Sequence, residues 1–260
     1  MLSSPFLKNL HLQITEIDQS LYPFSLPIFH ASPEENSSKN FWKLDFQTPV
    51  TFFVGENGTG KSTLLEAIAA KCGFNLMGGN RNHVLPYQDD IPDVCQLAKQ
   101  LRAGWLPKVN KGFFLRAESF FNFSTFLDKL AQEDALILTP YGGKSLHKQS
   151  HGESFMALFR NKFGYPQREI YLLDEPEAAL SPKRQLLFLK ILAKLAQTGN
   201  FQFIIATHSP ILMSLPNATI LSFSDSGIKT ITCQETEHFC ITKEFLNNPD
   251  HYLANLLQEE

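Results

Sequence analysis

Nine consecutive residues constrain this chain more than anything else in it: Gly55, Glu56, Asn57, Gly58, Thr59, Gly60, Lys61, Ser62 and Thr63. They match G-x-x-x-x-G-K-[ST] in full. Ahead of them Val50–Val54 is short, β-branched and aromatic, as a buried strand is. Behind them Leu64, Leu65 and Ile68 give Thr63–Lys71 helical spacing. A strand, a tight loop and a helix therefore follow one another. Glycines let the backbone wrap closely, so that successive N–H groups and the helix N-terminus face negative charge. Lys61 adds a cation for β- and γ-phosphates, and Ser62 a hydroxyl ligand for Mg²⁺. The expected ligand is a nucleoside triphosphate.

A second element supplies the complementary chemistry. Ile170–Leu173 is an apolar strand that runs into Asp174, Glu175 and Pro176. Asp174 is the expected second anchor for Mg²⁺, directly or through water. Glu175 is placed to act on the attacking water as general base, or to orient it. A third strand, Phe201–Ala206, leads into Thr207, His208, Ser209 and Pro210. A histidine there can donate to the γ-phosphate or hold the water.

Strands alternate with helices along the chain. A strand is expected at His11–Ile17 from its alternation, and others at Phe41–Phe46 and Phe113–Leu115. Helices are expected at Asp93–Leu101, Thr125–Gln132, Ser154 to about Phe163, Pro182–Gln197 and Lys243–Leu257, with Gly199 as a stop. The stretch from Leu101 to Gly112 reads as loop, Tyr141–Gln149 likewise, and Thr219–Cys233 as short alternating segments. The pattern implies an α/β fold with a mostly parallel sheet covered on both faces.

Composition narrows the partners. The 260 residues hold 43% hydrophobic and 19% charged side chains, so a sizeable core forms and global disorder is excluded. The 23 basic and 26 acidic side chains give a net charge of −3, which argues against a surface that wraps nucleic acid as a whole. The 23 phenylalanines are scattered and read mainly as core. Cys72, Cys95, Cys233 and Cys240 form no Cys-x-x-Cys pair and are expected as thiols. His238 lies between the last two, but their spacing is poor for zinc. The apolar runs Ala135–Leu138 and Phe203–Ala206 fall far short of the roughly 20 residues a spanning helix needs. No export signal precedes the first strand. A cytoplasmic protein is expected, or one peripheral at the inner face of the membrane.

Taken together, these motifs and their order resemble the ABC-type ATPases. The resemblance covers about Leu10 to Ser222. It looks closest to compact stand-alone ATPases that share Thr-His-Ser-Pro with overcoming-lysogenization-defect nucleases, and to DNA-repair ATPase heads. It implies a P-loop NTPase fold of the ABC type, with an N-terminal antiparallel β-subdomain and a helical insertion at about 74–165, in one domain over 1–260. The family's signature, usually L-S-G-G-Q, matches Gln149, Ser150, His151, Gly152 and Glu153. In the family that segment meets the nucleotide of a second subunit. The resemblance thus implies an ATP-dependent homodimer, paired head to tail with two ATP molecules in the seam.

Its implied site consists of Lys61, Glu175 and His208 for catalysis, and the loop from Gly55 to Thr63 for nucleotide. Ser62, Asp174 and Glu118 would serve the metal, and Ser150, His151, Gly152 and Glu153 the partner's ATP. Glu118 takes the place of the Q-loop glutamine, with Gln88 behind it. Tyr22, Phe24 and Trp42 are the aromatic candidates for stacking on adenine. This sequence departs from the family where His151 and Glu153 replace Gly and Gln, and where Ser181 ends a D-loop that commonly ends in Asp. Three outputs remain open: a transporter subunit docked on a membrane partner, a DNA-linked role in repair or phage defence, and an ATP-capturing module. The intact Glu175 and His208 argue against the last.

Overall fold

The computed structural model describes residues 3–30, 41–76, 78–79, 92–117, 120–134, 138–139, 143, 145, 151–160 and 167–257. Two sheets organise them. Strands β1 (Leu7–Gln13), β2 (Phe41–Asp45) and β4 (Arg102–Trp105) form an antiparallel sheet of order β2-β1-β4. Strands β3 (Val50–Val54), β5 (Gly112–Arg116), β6 (Glu169–Asp174), β7 (Phe201–Ala206), β8 (Thr219–Ser224) and β9 (Gly227–Ile231) form a six-stranded sheet. Its order is β5-β6-β7-β3-β8-β9, parallel throughout except for the closing hairpin β8–β9.

The central strands β3, β6 and β7 are buried along their whole length, so their side chains divide by twos between two cores. Phe53, Ile170, Leu172, Ile204 and Phe223 face one cluster, with helices α1 (Lys61–Cys72) and α2 (Pro92–Gln100) and the antiparallel sheet. Phe52, Tyr171, Leu173, Phe203 and Ile205 face the other, with α3 (Phe120–Glu133), α4 (His151–Arg160), α5 (Pro182–Gln197) and α6 (Pro210–Met213). The phenylalanines supply much of the second cluster: Phe155, Phe159, Phe188 and Phe203 lie in successive ring contacts. Two C-terminal helices, α7 (Glu237–Asn247) and α8 (Pro249–Leu256), follow the hairpin. α7 contains no buried residue.

The two sheets are joined by a polar clasp. Gln202 is fully buried within an otherwise apolar strand. Its Oε1 accepts from the backbone N–H groups of Phe6 and Leu7, each at 2.8 Å, and its Nε2 donates to the Leu7 carbonyl at 3.1 Å. The amide thus satisfies backbone groups where the chain enters β1, the central strand of the antiparallel sheet.

Several boundaries differ from the sequence reading. The first strand ends at Gln13 instead of Ile17, because Gln13 already pairs with Phe41, the first residue of β2, and a 3₁₀ turn, Ile14–Glu16, follows. The stretch expected as loop after Leu101 contains β4. There Gly104 makes room for the Asn9 side chain, whose Oδ1 would lie 2.3 Å from a Cβ at that position. α4 begins at His151, three residues before the expected Ser154. The C-terminal helical stretch is broken at Asn248, ahead of Pro249.

Candidate active site

The site is built by register. Across the parallel sheet Phe53 pairs with Ala206, Ala206 with Asp174, and Asp174 with Arg116. These four residues form one row near the carboxyl ends of their strands. The segments that leave the row, starting at Gly55, Glu175, Thr207 and Ala117, therefore emerge along one edge of the sheet, where open α/β sheets bind ligands.

Gly55 has φ 134°, and a Cβ there would sit 2.2 Å from the Phe223 carbonyl oxygen. Only glycine lets the loop leave β3 this close to β8. Gly60, at the N-cap of α1, is also left-handed. Lys61 is buried, and its Nζ donates to the carbonyls of Gly55 and Glu56 at 2.8 Å each, bracing the loop from within. Burial pushes the Lys61 ammonium below its ordinary value, while Glu175, Asp174, Glu56 and Glu177 oppose that shift.

Ser62 Oγ donates to Asp174 Oδ1 at 3.0 Å. Asp174 is itself buried, and its Oδ2 lies 3.6 Å from the Arg116 Nε. Arg116 also forms an ion pair with the buried Glu66 of α1. Ser62, Arg116, Asp174 and Glu175 line a cavity of about 310 Å³. Ser62 Oγ and Asp174 Oδ1 are adjacent hard oxygen donors at its wall, a set suited to Mg²⁺ with the remaining positions filled by water and phosphate. A second cavity, of about 510 Å³, runs beside Gly55–Thr59 and is closed opposite by Thr236, Glu237 and His238 at the start of α7.

Glu175 differs sharply from its neighbour. Its side chain is half exposed, and its backbone is left-handed at φ 49°, ψ 51°. The Glu175 N–H still bonds the Ala206 carbonyl at 2.9 Å, so the reversal directly follows the last sheet pairing. Backbone conformations of this kind in non-glycine residues cluster at functional sites. His208 Nε2 lies 3.8 Å from Glu175 Oε1. Its backbone N–H donates to Glu177 Oε1 at 2.6 Å, tying the loop after β7 to the turn after β6. Burial, followed by Lys61 and then His238, pushes the His208 imidazole below its ordinary value, against Glu175 and Glu56. Burial also pushes the Glu177 carboxyl up, against hydrogen bonds from His208, its own backbone and Thr207.

Five of the residues singled out from sequence thus meet at one edge: Lys61, Ser62, Asp174, Glu175 and His208. Among the aromatic candidates, Tyr22 alone faces solvent, and its hydroxyl lies 3.0 Å from Thr63 Oγ1 at the start of α1. Phe24 and Trp42 are core residues instead. Trp42 is buried edge-on against Phe29 and donates its indole N–H to the Ile28 carbonyl at 2.8 Å. Glu118, Gln88, Gln149 and Ser150 lie outside the described residues. His151 and Gly152 form the first turn of α4, and Glu153 is exposed, 3.4 Å from Arg184 of α5. Sequence reasoning missed Arg116, Glu177 and His238. The available signals were an arginine ending an apolar strand, and the second carboxylate of the Glu-Pro-Glu turn.

A phosphate-binding type of loop after β3 and an acidic end on β6, with β7 between them in a parallel sheet, make up the layout of a P-loop nucleotide site. Comparisons with known proteins sharpen the class. Residues 155–214 match the family model "AAA domain, putative AbiEii toxin, Type IV TA system", and residues 36–86 match a second, "AAA domain". An uncharacterized ABC transporter ATP-binding protein of Methanocaldococcus jannaschii is 26% identical over 60% of this chain and 57% of its own length. The tungstate uptake system ATP-binding protein TupC of Campylobacter jejuni is 23% identical over 79% of this chain and 64% of its own. This chain therefore spans under two thirds of the length of each of these relatives. Among solved structures, the SMC head domain from Thermotoga maritima overlaps 87% of this chain and 98% of its own, at 15% identity and a TM-score of 0.45. The chain has an α/β fold with a P-loop and is similar in sequence to ABC transporter ATP-binding proteins.

Proposed function

We propose that this protein binds and hydrolyses ATP with Mg²⁺, in a head-to-tail pair of chains that closes on ATP and opens after hydrolysis. The observation that supports this reading best is the row of strand ends, which brings Lys61, Ser62, Asp174, Glu175 and His208 to one edge of the sheet. The backbone from Gly55 to Thr63 cradles the phosphates, and Lys61 exchanges its two loop carbonyls for β- and γ-phosphate oxygens. Tyr22 supplies the aromatic face beside the base. Ser62 and Asp174 would hold Mg²⁺, which when bound neutralises charge on the phosphate oxygens. Glu175 orients the attacking water or takes its proton, and its half-exposed carboxylate reaches the open side of the cavity. His208 donates from Nε2 to the γ-phosphate.

Gly152, in the first turn of α4, and Ser150, two residues earlier in the sequence, would complete the partner's site. Residues 1–260 act in this reading as one domain. Light scattering of Glu175→Gln with and without Mg-ATP tests it: a monomer becomes a dimer on ATP, and Ser150→Arg abolishes the shift. A monomer that persists despite ATP binding would contradict the paired site.

A second reading concerns the output. The names of the two curated relatives favour an ATP-binding subunit of a membrane transporter over a DNA-linked switch. No helix among the described residues is long and apolar enough to cross a membrane, and in the transporter reading this chain docks on a separate membrane partner. Co-purification with a membrane protein supports that reading, whereas salt-dependent retention on DNA supports the other.

A further inference from the structure

We propose that His238 is a positioning residue for His208. It donates a hydrogen bond to His208 Nδ1 and so fixes the tautomer whose Nε2 carries a proton toward the γ-phosphate end of the site. This role rests on the ATPase reading above.

The two rings meet edge to face with centroids 4.7 Å apart, and His208 Nδ1 lies 2.7 Å from His238 Nε2. One proton serves that contact, and the surroundings decide which ring supplies it. The other nitrogen of His208, Nε2, is buried and faces Glu175 Oε1 at 3.8 Å, with no hydrogen-bond partner in the structure. A proton on Nε2 points at a carboxylate, whereas a bare Nε2 would set a lone pair against it. Nε2–H is therefore favoured, Nδ1 accepts, and His238 Nε2–H donates. Partial burial and the nearby Lys61 both disfavour the doubly protonated ring, so the choice of tautomer matters.

His238 is held for this task. Thr236, buried at the N-cap of α7, accepts from the Phe239 N–H at 3.3 Å and donates to the Cys233 carbonyl at 2.7 Å. The preceding turn is closed by Thr232 and Glu235, whose side chains and backbone bond reciprocally. The cysteines on either side of His238 turn to carbonyls, Cys233 Sγ toward Pro210 and Cys240 Sγ toward Gln234. His238, set between these cysteines in the sequence, faces His208 instead. An element beyond the central sheet thereby contributes to the ATP site by acting through His208.

The test combines kinetics with imidazole ¹⁵N NMR on the full chain. His238→Ala should lower kcat about tenfold, the scale on which outer-shell partners of site histidines act, with KM for ATP within about twofold. His238→Gln, whose amide N–H occupies the place of Nε2–H, should restore most of the rate. His208→Ala should leave nothing more for His238→Ala to remove. In the wild type, His208 should carry its proton on Nε2, and in His238→Ala part of it should move to Nδ1. A wild-type His208 protonated on Nδ1 would overturn the proposal, as would a His238→Ala protein with unchanged kcat and tautomer. Because the NMR readout needs no turnover, a wild type that fails to hydrolyse ATP would remove the ATPase reading while the tautomer assignment is still decided.

Discussion

The two sheets of this protein meet the same physical requirement in opposite ways. The parallel sheet is buried on both faces, and its central strands are unbroken apolar runs. Its polar side chains appear where the strands stop, and there they converge. The antiparallel sheet is wetter: β2 alternates exposed and buried residues from Phe41 to Asp45, and its buried residues join the core cluster that also holds α1. The segment between β1 and β2 reaches the site through Tyr22 beside Thr63. Chemistry thus sits on the sheet whose register is over-determined, where a one-residue slip would scatter the row of strand ends. The antiparallel sheet braces the loop helix from outside.

The contrast is broken most severely at the loop. Lys61→Ala removes the internal brace and the phosphate cation together, and ATP binding should weaken more than 100-fold, or about 3 kcal/mol, as measured by isothermal titration. A fold that stays intact by circular dichroism would confirm that the loss is local. The joint between the sheets comes next. Gln202→Leu would strand the Phe6 and Leu7 N–H groups in the core, and the protein should lose about 2–6 kcal/mol of stability in urea, from roughly 1–3 kcal/mol for each unsatisfied group. Unchanged stability would mean that the sheets do not depend on the clasp. Tyr22→Ala should weaken ATP binding about fivefold, near 1 kcal/mol, and leave kcat unaffected. A drop in kcat without loss of affinity would move Tyr22 from binding to chemistry.

The smallest effect concerns Glu177. Its folded carboxyl holds a proton to higher pH than the unfolded one, so the fold is favoured below the ordinary carboxylate value and loses that contribution as pH rises through the raised one. Glu177→Gln keeps an acceptor for the His208 N–H without the buried charge. Its melting point should exceed the wild type's by about 2–4 °C at pH 8, with the gap closing as pH falls toward 4. An equal gap at both ends of that range would contradict this assignment.

Much of the parallel sheet was legible in the sequence because burial on both faces writes itself as apolar runs, and because Gly55–Thr63 and Asp174–Glu175 carry fixed chemistry at fixed offsets. β4 was hidden, since Arg102-Ala-Gly-Trp105 has no alternation and owes its pairing to the close approach of Asn9. Trp42 and Phe24 show the limit for aromatics: composition cannot separate a ring that stacks on a ligand from one that fills a core. Arg116, Glu177 and His238 were illegible for a third reason. Each acts through a residue distant in sequence, and only the strand register and the cap of α7 bring the partners together.

The account turns on Glu175, half exposed beside a buried Asp174. Phosphate release from Mg-ATP by Glu175→Gln, set against the wild type at equal ATP occupancy, tests it most directly. Turnover should fall on the order of 10²–10⁴-fold while ATP affinity holds. Wild-type turnover in that variant would contradict the role of Glu175 and, with it, the reading of this edge as a hydrolytic site.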